Sequence, residues 1–180
     1  MRSENRAIFL DRDGVINVEV SYLSDPNDFV FIEGTIQALK ILQHKGFFLI
    51  IITNQAGIAR GYYDEQRLAE IHNKMTSILK EHNIKLDDIF FCPHHPEFTG
   101  PCDCRKPKPG MILKAANKHH IHLQESYIVG DTLKDIEAGQ NAGCKTVLVL
   151  TGYGAQERKK IKQIKPHLIY QNLLEFAKNL

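Results

Sequence analysis

Several things are scarce in this chain, and each scarcity removes a class of function. Its apolar runs fall far short of the ~20 residues that a membrane-spanning helix needs, so no membrane partner is expected. The opening hexapeptide, Met1 to Arg6, carries no hydrophobic stretch, so no signal peptide is visible and a cytoplasmic location is expected. Charge of one sign is missing as well: 23 basic against 21 acidic residues leave a net charge of +2. That is too little for a nucleic-acid backbone, and no nucleic-acid partner is expected. The densest basic run, Arg158-Lys159-Lys160 with Lys162 and Lys165, reads as a solvated helix face. There is no repeat, no low-complexity tract and no break in composition, so a single domain over residues 1–180 is expected. Cysteine is sparse, with 4 residues in all. Cys92, Cys102 and Cys104 crowd into one short segment, which is unlike a disulfide scaffold and points to metal in a reducing compartment. Cys144 stands apart and reads as core.

What is present is a regular alternation. A length of 180 residues with 43% hydrophobic content suffices for a buried core. Ala7–Leu10, Phe47–Ile52, Asp88–Phe91, Tyr127–Val129, Thr146–Leu150 and Leu168–Tyr170 read as strands. Between them, apolar positions recur at helical spacing in Thr35–Lys45, in the segment after Asp64 (Leu68, Ile71, Met75, Ile78, Leu79), in Gly110–His119 and in Leu133–Asn141. A last helix is expected near Leu173–Ala177, and Ile16–Glu33 reads as irregular. Gly46 and Asp64 are natural helix stop and start residues. The pattern predicts an α/β fold: a Rossmann-like parallel sheet with helices on both faces.

In such a sheet, ligands bind outside the carboxyl ends of the strands. Four strands here end in chemically useful loops. The first delivers Asp11 and Asp13, two carboxylates ahead of Gly14, suited to a hard divalent cation and to nucleophilic attack. The second runs Thr53-Asn54-Gln55-Ala56-Gly57-Ile58-Ala59-Arg60-Gly61 and offers a hydroxyl and amides to a phosphate. The third, Arg105-Lys106-Pro107-Lys108-Pro109-Gly110, stiffens basic residues between prolines. The fourth, Gly130-Asp131-Thr132-Leu133-Lys134-Asp135, adds Asp131 to a carboxylate cluster for Mg²⁺, while Asp135 either caps the following helix or orients Lys106.

Each loop alone is a weak signal; the four in this order are specific. Together they resemble the haloacid dehalogenase superfamily of phosphotransferases, over essentially the whole chain. The resemblance implies Asp11 as nucleophile, Asp13 as general acid and base, and Thr53 and Lys106 as stabilisers of the phosphoryl oxygens. It implies Mg²⁺ held by Asp11, Asp131 and the main-chain carbonyl of Asp13. An acid two residues beyond the nucleophile suits an alkoxide leaving group, which favours a phosphatase.

Cys92-Pro93-His94 with Cys102-Asp103-Cys104 offers three thiolates and an imidazole, a closed set for structural Zn²⁺. His95 is a rival to His94, and the spacing symmetry favours His94. Zinc there fixes Arg105 and Lys106, which follow directly. Within the superfamily, a zinc loop without a large cap domain is similar to two groups, the histidinol-phosphate phosphatases and the heptose bisphosphate phosphatases. The second loop, Cys92-Pro93-His94-His95-Pro96 and Arg12-Asp13-Gly14-Val15-Ile16-Asn17 look like the heptose group. That likeness implies a small-molecule sugar bisphosphate as partner of a monomeric enzyme. It implies a pocket lined by Arg12, Glu19, Val20, Ser21, Tyr22, Asn54, Gln55, Ala56, Arg105 and Thr132, with Arg105 on the far phosphate. Two departures stand out: the loop from His94 to Cys102 is short, and Thr132 replaces a lysine found in some members. A zinc-stabilised binding module without catalysis is the alternative of another class.

Overall fold

A computed structural model describes residues 5–180; the expectation for the start of the chain falls mostly outside them. Six strands, β1 (Ala7–Leu10), β2 (Phe48–Asn54), β3 (Asp88–Cys92), β4 (Tyr127–Gly130), β5 (Lys145–Val149) and β6 (Leu168–Tyr170), form one sheet in the order 3-2-1-4-5-6. Every neighbouring pair is parallel. The eight helices among the described residues are α1 (Thr35–His44), α2 (Ala56–Ala59), α3 (Glu65–Glu81), α4 (Pro96–Thr99), α5 (Gly110–His119), α6 (Leu133–Ala142), α7 (Gly154–Arg158) and α8 (Leu173–Asn179).

The two-residue period of a strand explains the layering. Ile8 and Leu10 of β1, with Leu49 and Ile51 of β2, pack into one core beside α1, α3 and α8. Ala7 and Phe9, with Ile50 and Ile52, face the opposite core beside α5 and α6. Because both faces are covered, the central strands read as uninterrupted apolar runs. Cys144 lies in the second core, 4% exposed. Helix boundaries follow their caps: the Asp64 carboxylate accepts from the Arg67 amide to start α3, and Gly46, at φ 81°, turns the chain after α1.

The structure departs from the pattern in three places. β2 runs on through Thr53 and Asn54, because both continue the pairing with β3, at Phe91 and Cys92. α2, α4 and α7 have 4, 4 and 5 residues, too short for an apolar period to show. The basic run is solvent-exposed but is not a helix face, since α7 ends at Arg158 and the lysines after it lie in a turn (Lys159, Lys160), a bend (Lys162) and irregular backbone (Lys165).

The strand order reverses between β1 and β4, where successive connections leave to opposite sides. Such a switch point opens a crevice at the carboxyl edge. Asp11 and Asp131, one residue past their respective strands, are therefore brought side by side by topology. Phe9 is fully buried beneath this edge. Phe9→Ala is expected to cost about 3–5 kcal/mol, measured as a lowered urea midpoint at unchanged m-value.

Candidate active site

At the carboxyl edge lies a cavity of about 330 Å³. Its floor is organised around Lys106. The Lys106 ammonium is 2% exposed and meets three acceptors: Asp11 Oδ1 at 2.9 Å, Asp135 Oδ1 at 2.6 Å and the Ile52 carbonyl at 2.8 Å. The contact to the Ile52 carbonyl is a hydrogen bond and the two carboxylate contacts are ion pairs, so the buried charge is compensated from three sides. Asn54 fixes the lysine from behind, since its Nδ2 donates to the Lys106 carbonyl and its Oδ1 accepts from the Lys106 amide, both at 3.1 Å. Burial alone would lower the Lys106 pKa; the charges of Asp11 and Asp135 overcome it and raise it.

Three carboxylates, Asp11, Asp131 and Asp135, gather with oxygens within 4.8 Å of one another. Burial pushes Asp11 up to about 7, with Lys106 opposing and Asp135 and Asp13 adding to the rise. Burial, with the charges of Asp11 and Asp135, pushes Asp131 up to about 9. Gly14 and Gly152 close over Asp131: a Cβ on either would sit 2.1 Å from its Oδ2. The Tyr153 amide donates to that oxygen at 2.8 Å. Three acids sharing one lysine form a hard, oxygen-rich, electron-surplus donor set that fits a divalent cation. Asp135 fills both of its expected roles, bonding the Thr132 amide and hydroxyl and pairing with Lys106. Its place in the acid group was not foreseen, because a capping carboxylate looks the same in sequence.

Asp13 is treated differently. Burial favours its neutral form, but the Arg12 guanidinium and hydrogen bonds from Asn17, Arg12 and Gln55 outweigh burial and hold its pKa below the usual value. Arg12 Nη2 reaches both carboxylate oxygens at 2.9 Å. Asn17 Nδ2 and Gln55 Nε2 each donate to it at 3.0 Å. Arg12 is fully buried and does not line the cavity. It sits below the pocket because its guanidinium is enclosed by Asp13, Gln55 and His72. The His72 pKa, pushed down to about 3 by burial and by Arg12, leaves a neutral ring able to accept from Arg12 Nη1 at 3.2 Å.

Of the remaining expected pocket residues, Glu19, Ser21, Tyr22, Asn54, Gln55, Ala56, Arg105 and Thr132 line the cavity. Val20 lines an adjoining cavity instead, and Thr53 is fully buried in β2 with its hydroxyl accepting from Gln55. Burial and the nearby Asp13 push Glu19 up to about 6. Tyr63, Lys134 and Tyr153 also line the cavity. Lys134 stands inside the fourth loop's motif without a role assigned to it there, and no motif marks Tyr63 or Tyr153; their positions depend on where helix ends fall in space.

Beside the cavity, the Cys92, Cys102 and Cys104 sulfurs lie within 4.8 Å of one another. Three thiols so close suit a soft, tetrahedral ion. His94 is not part of this group, although its carbonyl accepts from Arg105 Nη1 at 3.1 Å. His95 caps α4, and its Nε2 lies 3.3 Å from Arg60 Nη2. The Arg60 guanidinium stacks on Phe98 at 4.9 Å and on Tyr22 at 5.8 Å, joining the short cysteine loop to the pocket wall.

Comparison with known proteins agrees with this geometry. A family model described as HAD-hydrolase-like matches residues 103–176. A D-glycero-beta-D-manno-heptose-1,7-bisphosphate 7-phosphatase of Haemophilus ducreyi is 48% identical over 153 residues, 82% of this chain and 84% of the relative. The Escherichia coli protein of the same name is 47% identical over 153 residues, 81% of this chain and 80% of its own. The chain belongs to this heptose bisphosphate phosphatase family. It is thus a phosphoric monoester hydrolase of the haloacid dehalogenase type. The crystal structure of the Bordetella family member (B. bronchiseptica), complexed with magnesium and phosphate, superposes with a TM-score of 0.89 at 34% identity, covering 97% of both chains. That from Burkholderia thailandensis gives 0.75 at 28% identity, again covering 97% of both. No helix among the described residues is long and apolar enough to cross a membrane.

The acid cluster predicts a pH-dependent metal affinity. Raised pKa values mean that Asp131, and Asp11 in part, hold protons at neutral pH when no metal is bound, and a cation must displace them. Mg²⁺ binding, followed by calorimetry, is expected to tighten as pH rises from 6 to 8.5, by up to about tenfold per unit for each proton displaced. An affinity independent of pH would contradict the shared-proton arrangement.

Proposed function

We propose that this chain hydrolyses the 7-phosphate of D-glycero-D-manno-heptose 1,7-bisphosphate through an aspartyl-phosphate, in the making of nucleotide-activated heptose. The observation that carries the reading is the pairing of Asp11 with Lys106 at the β1–β4 switch point, with Asp13 held two residues away by a separate set of partners. Relatives at 45–48% identity bear the name of the beta-anomer enzyme, which favours that anomer here.

Asp11 attacks phosphorus in line as the bond to the sugar oxygen breaks. Lys106 keeps the Asp11 carboxylate oriented and compensates charge on the phosphoryl oxygens, while Thr53, buried beneath the cavity, positions Gln55. The low pKa of Asp13 means that it rests ionised, ready to act as a base. An incoming phosphate brings like charge that raises it, so that Asp13 takes up a proton from solvent water and then gives it to the departing alkoxide. Asp13 next removes a proton from the water that cleaves the aspartyl-phosphate. Glu19, Ser21 and Tyr22 contact the sugar, with Gln55 and Ala56 on the opposite wall.

Mg²⁺ fits the Asp11, Asp131 and Asp135 group, with the Asp13 carbonyl as a further ligand, and supplies charge neutralisation between nucleophile and phosphate. Zn²⁺ fits the three cysteines, with His94 as fourth ligand because His95 is engaged by α4 and Arg60. A thiolate cluster of this kind suits a reducing, cytoplasmic setting, and a cavity lined by this one chain suits a monomer.

The first test is phosphate release with Mg²⁺ from both heptose bisphosphate anomers and from histidinol phosphate. Preference for the beta bisphosphate supports the reading, and preference for histidinol phosphate overturns the substrate. Asp11→Asn is expected to lower kcat by at least about a thousandfold with the fold intact by circular dichroism. For the zinc site, chelation is expected to expose three thiols to a thiol reagent while Cys144 stays protected. Exposure without metal release would remove the zinc assignment.

A further inference from the structure

A sugar carrying two phosphates needs cations for both, yet the cavity is mostly acidic. Asp11, Asp13, Glu19, Asp131 and Asp135 line it, against three cations, Arg105, Lys106 and Lys134. Lys106 is 2% exposed, with its charge already paired to Asp11 and Asp135 and a proton given to the Ile52 carbonyl. Arg12, the other nearby cation, is fully buried against Asp13. The phosphate that is not cleaved is therefore left with Arg105 and Lys134. Arg105 keeps one nitrogen on the His94 carbonyl.

Lys134 is exposed and is the second residue of α6. A cation in the first turn of a helix faces the positive end of the helix dipole and weakens the helix. Among the described residues its charge is felt by Glu157, whose carboxylate is also engaged by Lys160 and by the Leu133 amide. A residue that breaks a local rule at the rim of a site, with a free ammonium, has a reason outside the helix. The neighbouring Thr132 cannot substitute for it, because its hydroxyl donates to Asp135.

We propose that Lys134 is a specificity-determining residue that, together with Arg105, holds the phosphoryl group that is not hydrolysed, so that the enzyme distinguishes a sugar bisphosphate from its monophosphate. This rests on the sugar-bisphosphate reading above. A lysine acts there as a point charge, which tolerates the varied orientation of an anomeric phosphate better than a fixed fork.

The test compares heptose 1,7-bisphosphate with heptose 7-phosphate in the wild type, Lys134→Met and Lys134→Arg. Lys134→Met is expected to raise KM for the bisphosphate about tenfold more than for the monophosphate, equivalent to one lost charge contact, with kcat for the bisphosphate changed less than about twofold. Lys134→Arg is expected to restore most of the preference. The wild-type KM for the bisphosphate is expected to rise more steeply with salt than that of Lys134→Met. An equal effect on both substrates, or no effect on either, overturns the proposal. Failure of the wild type to cleave the bisphosphate at all overturns the underlying reading instead, and shows before any variant is made.

Discussion

The buried ammonium of Lys106 is the interaction on which the rest of the site depends. It joins three parts of the fold at one atom: the end of β1 through Asp11, the end of β2 through the Ile52 carbonyl, and the start of α6 through Asp135. Burying such a charge costs several kcal/mol, on the order of the penalty for any desolvated ion, and it is sustained because two carboxylates and a main-chain carbonyl lie against it. The carboxylates depend on it in turn. With Lys106 removed, Asp11, Asp131 and Asp135 would face one another without a compensating cation, and the opposing pull that Lys106 exerts on the raised Asp11 and Asp131 would be lost.

Two neighbouring aspartates thereby acquire opposite character. Asp11 is raised by burial, with like charges adding to it; Asp13 is gripped by Arg12, Asn17 and Gln55 and is lowered. The chain bends at Arg12 between them, and the two side chains meet different partners. Arg12 turns inward beneath the site, where His72 and Gln55 complete its shell. Division of labour between nucleophile and acid–base group follows from environment rather than residue type.

Much of this was legible in the sequence. The apolar runs of β1 and β2 reveal strands covered on both faces, and the polar residues directly after them mark the carboxyl edge. Asp11, Lys106 and Asp131 meet because parallel strands must deliver their loops to that edge. Less legible was anything that depends on which way a side chain turns within a loop. Arg12 stands inside the motif yet points away from the cavity, and Asn54 grips the Lys106 main chain while also lining the cavity. Lys134 and Tyr153 enter the wall from helix ends whose positions are set by tertiary packing. The helices α2, α4 and α7 are too short to leave a period.

The short cysteine loop is held from several directions at once. Its thiols converge from both ends, Arg105 takes the His94 carbonyl, and Arg60 lies against His95 and Phe98. Between these attachments, residues 96–99 are exposed. A segment anchored in this way has a contour length that is nearly independent of its function. Extra residues would bulge into solvent at a closure cost of only about 0.6 kcal/mol per doubling of length. Loop length is thus a dimension along which such a chain can drift without disturbing its chemistry, whereas the order of its anchoring residues is not.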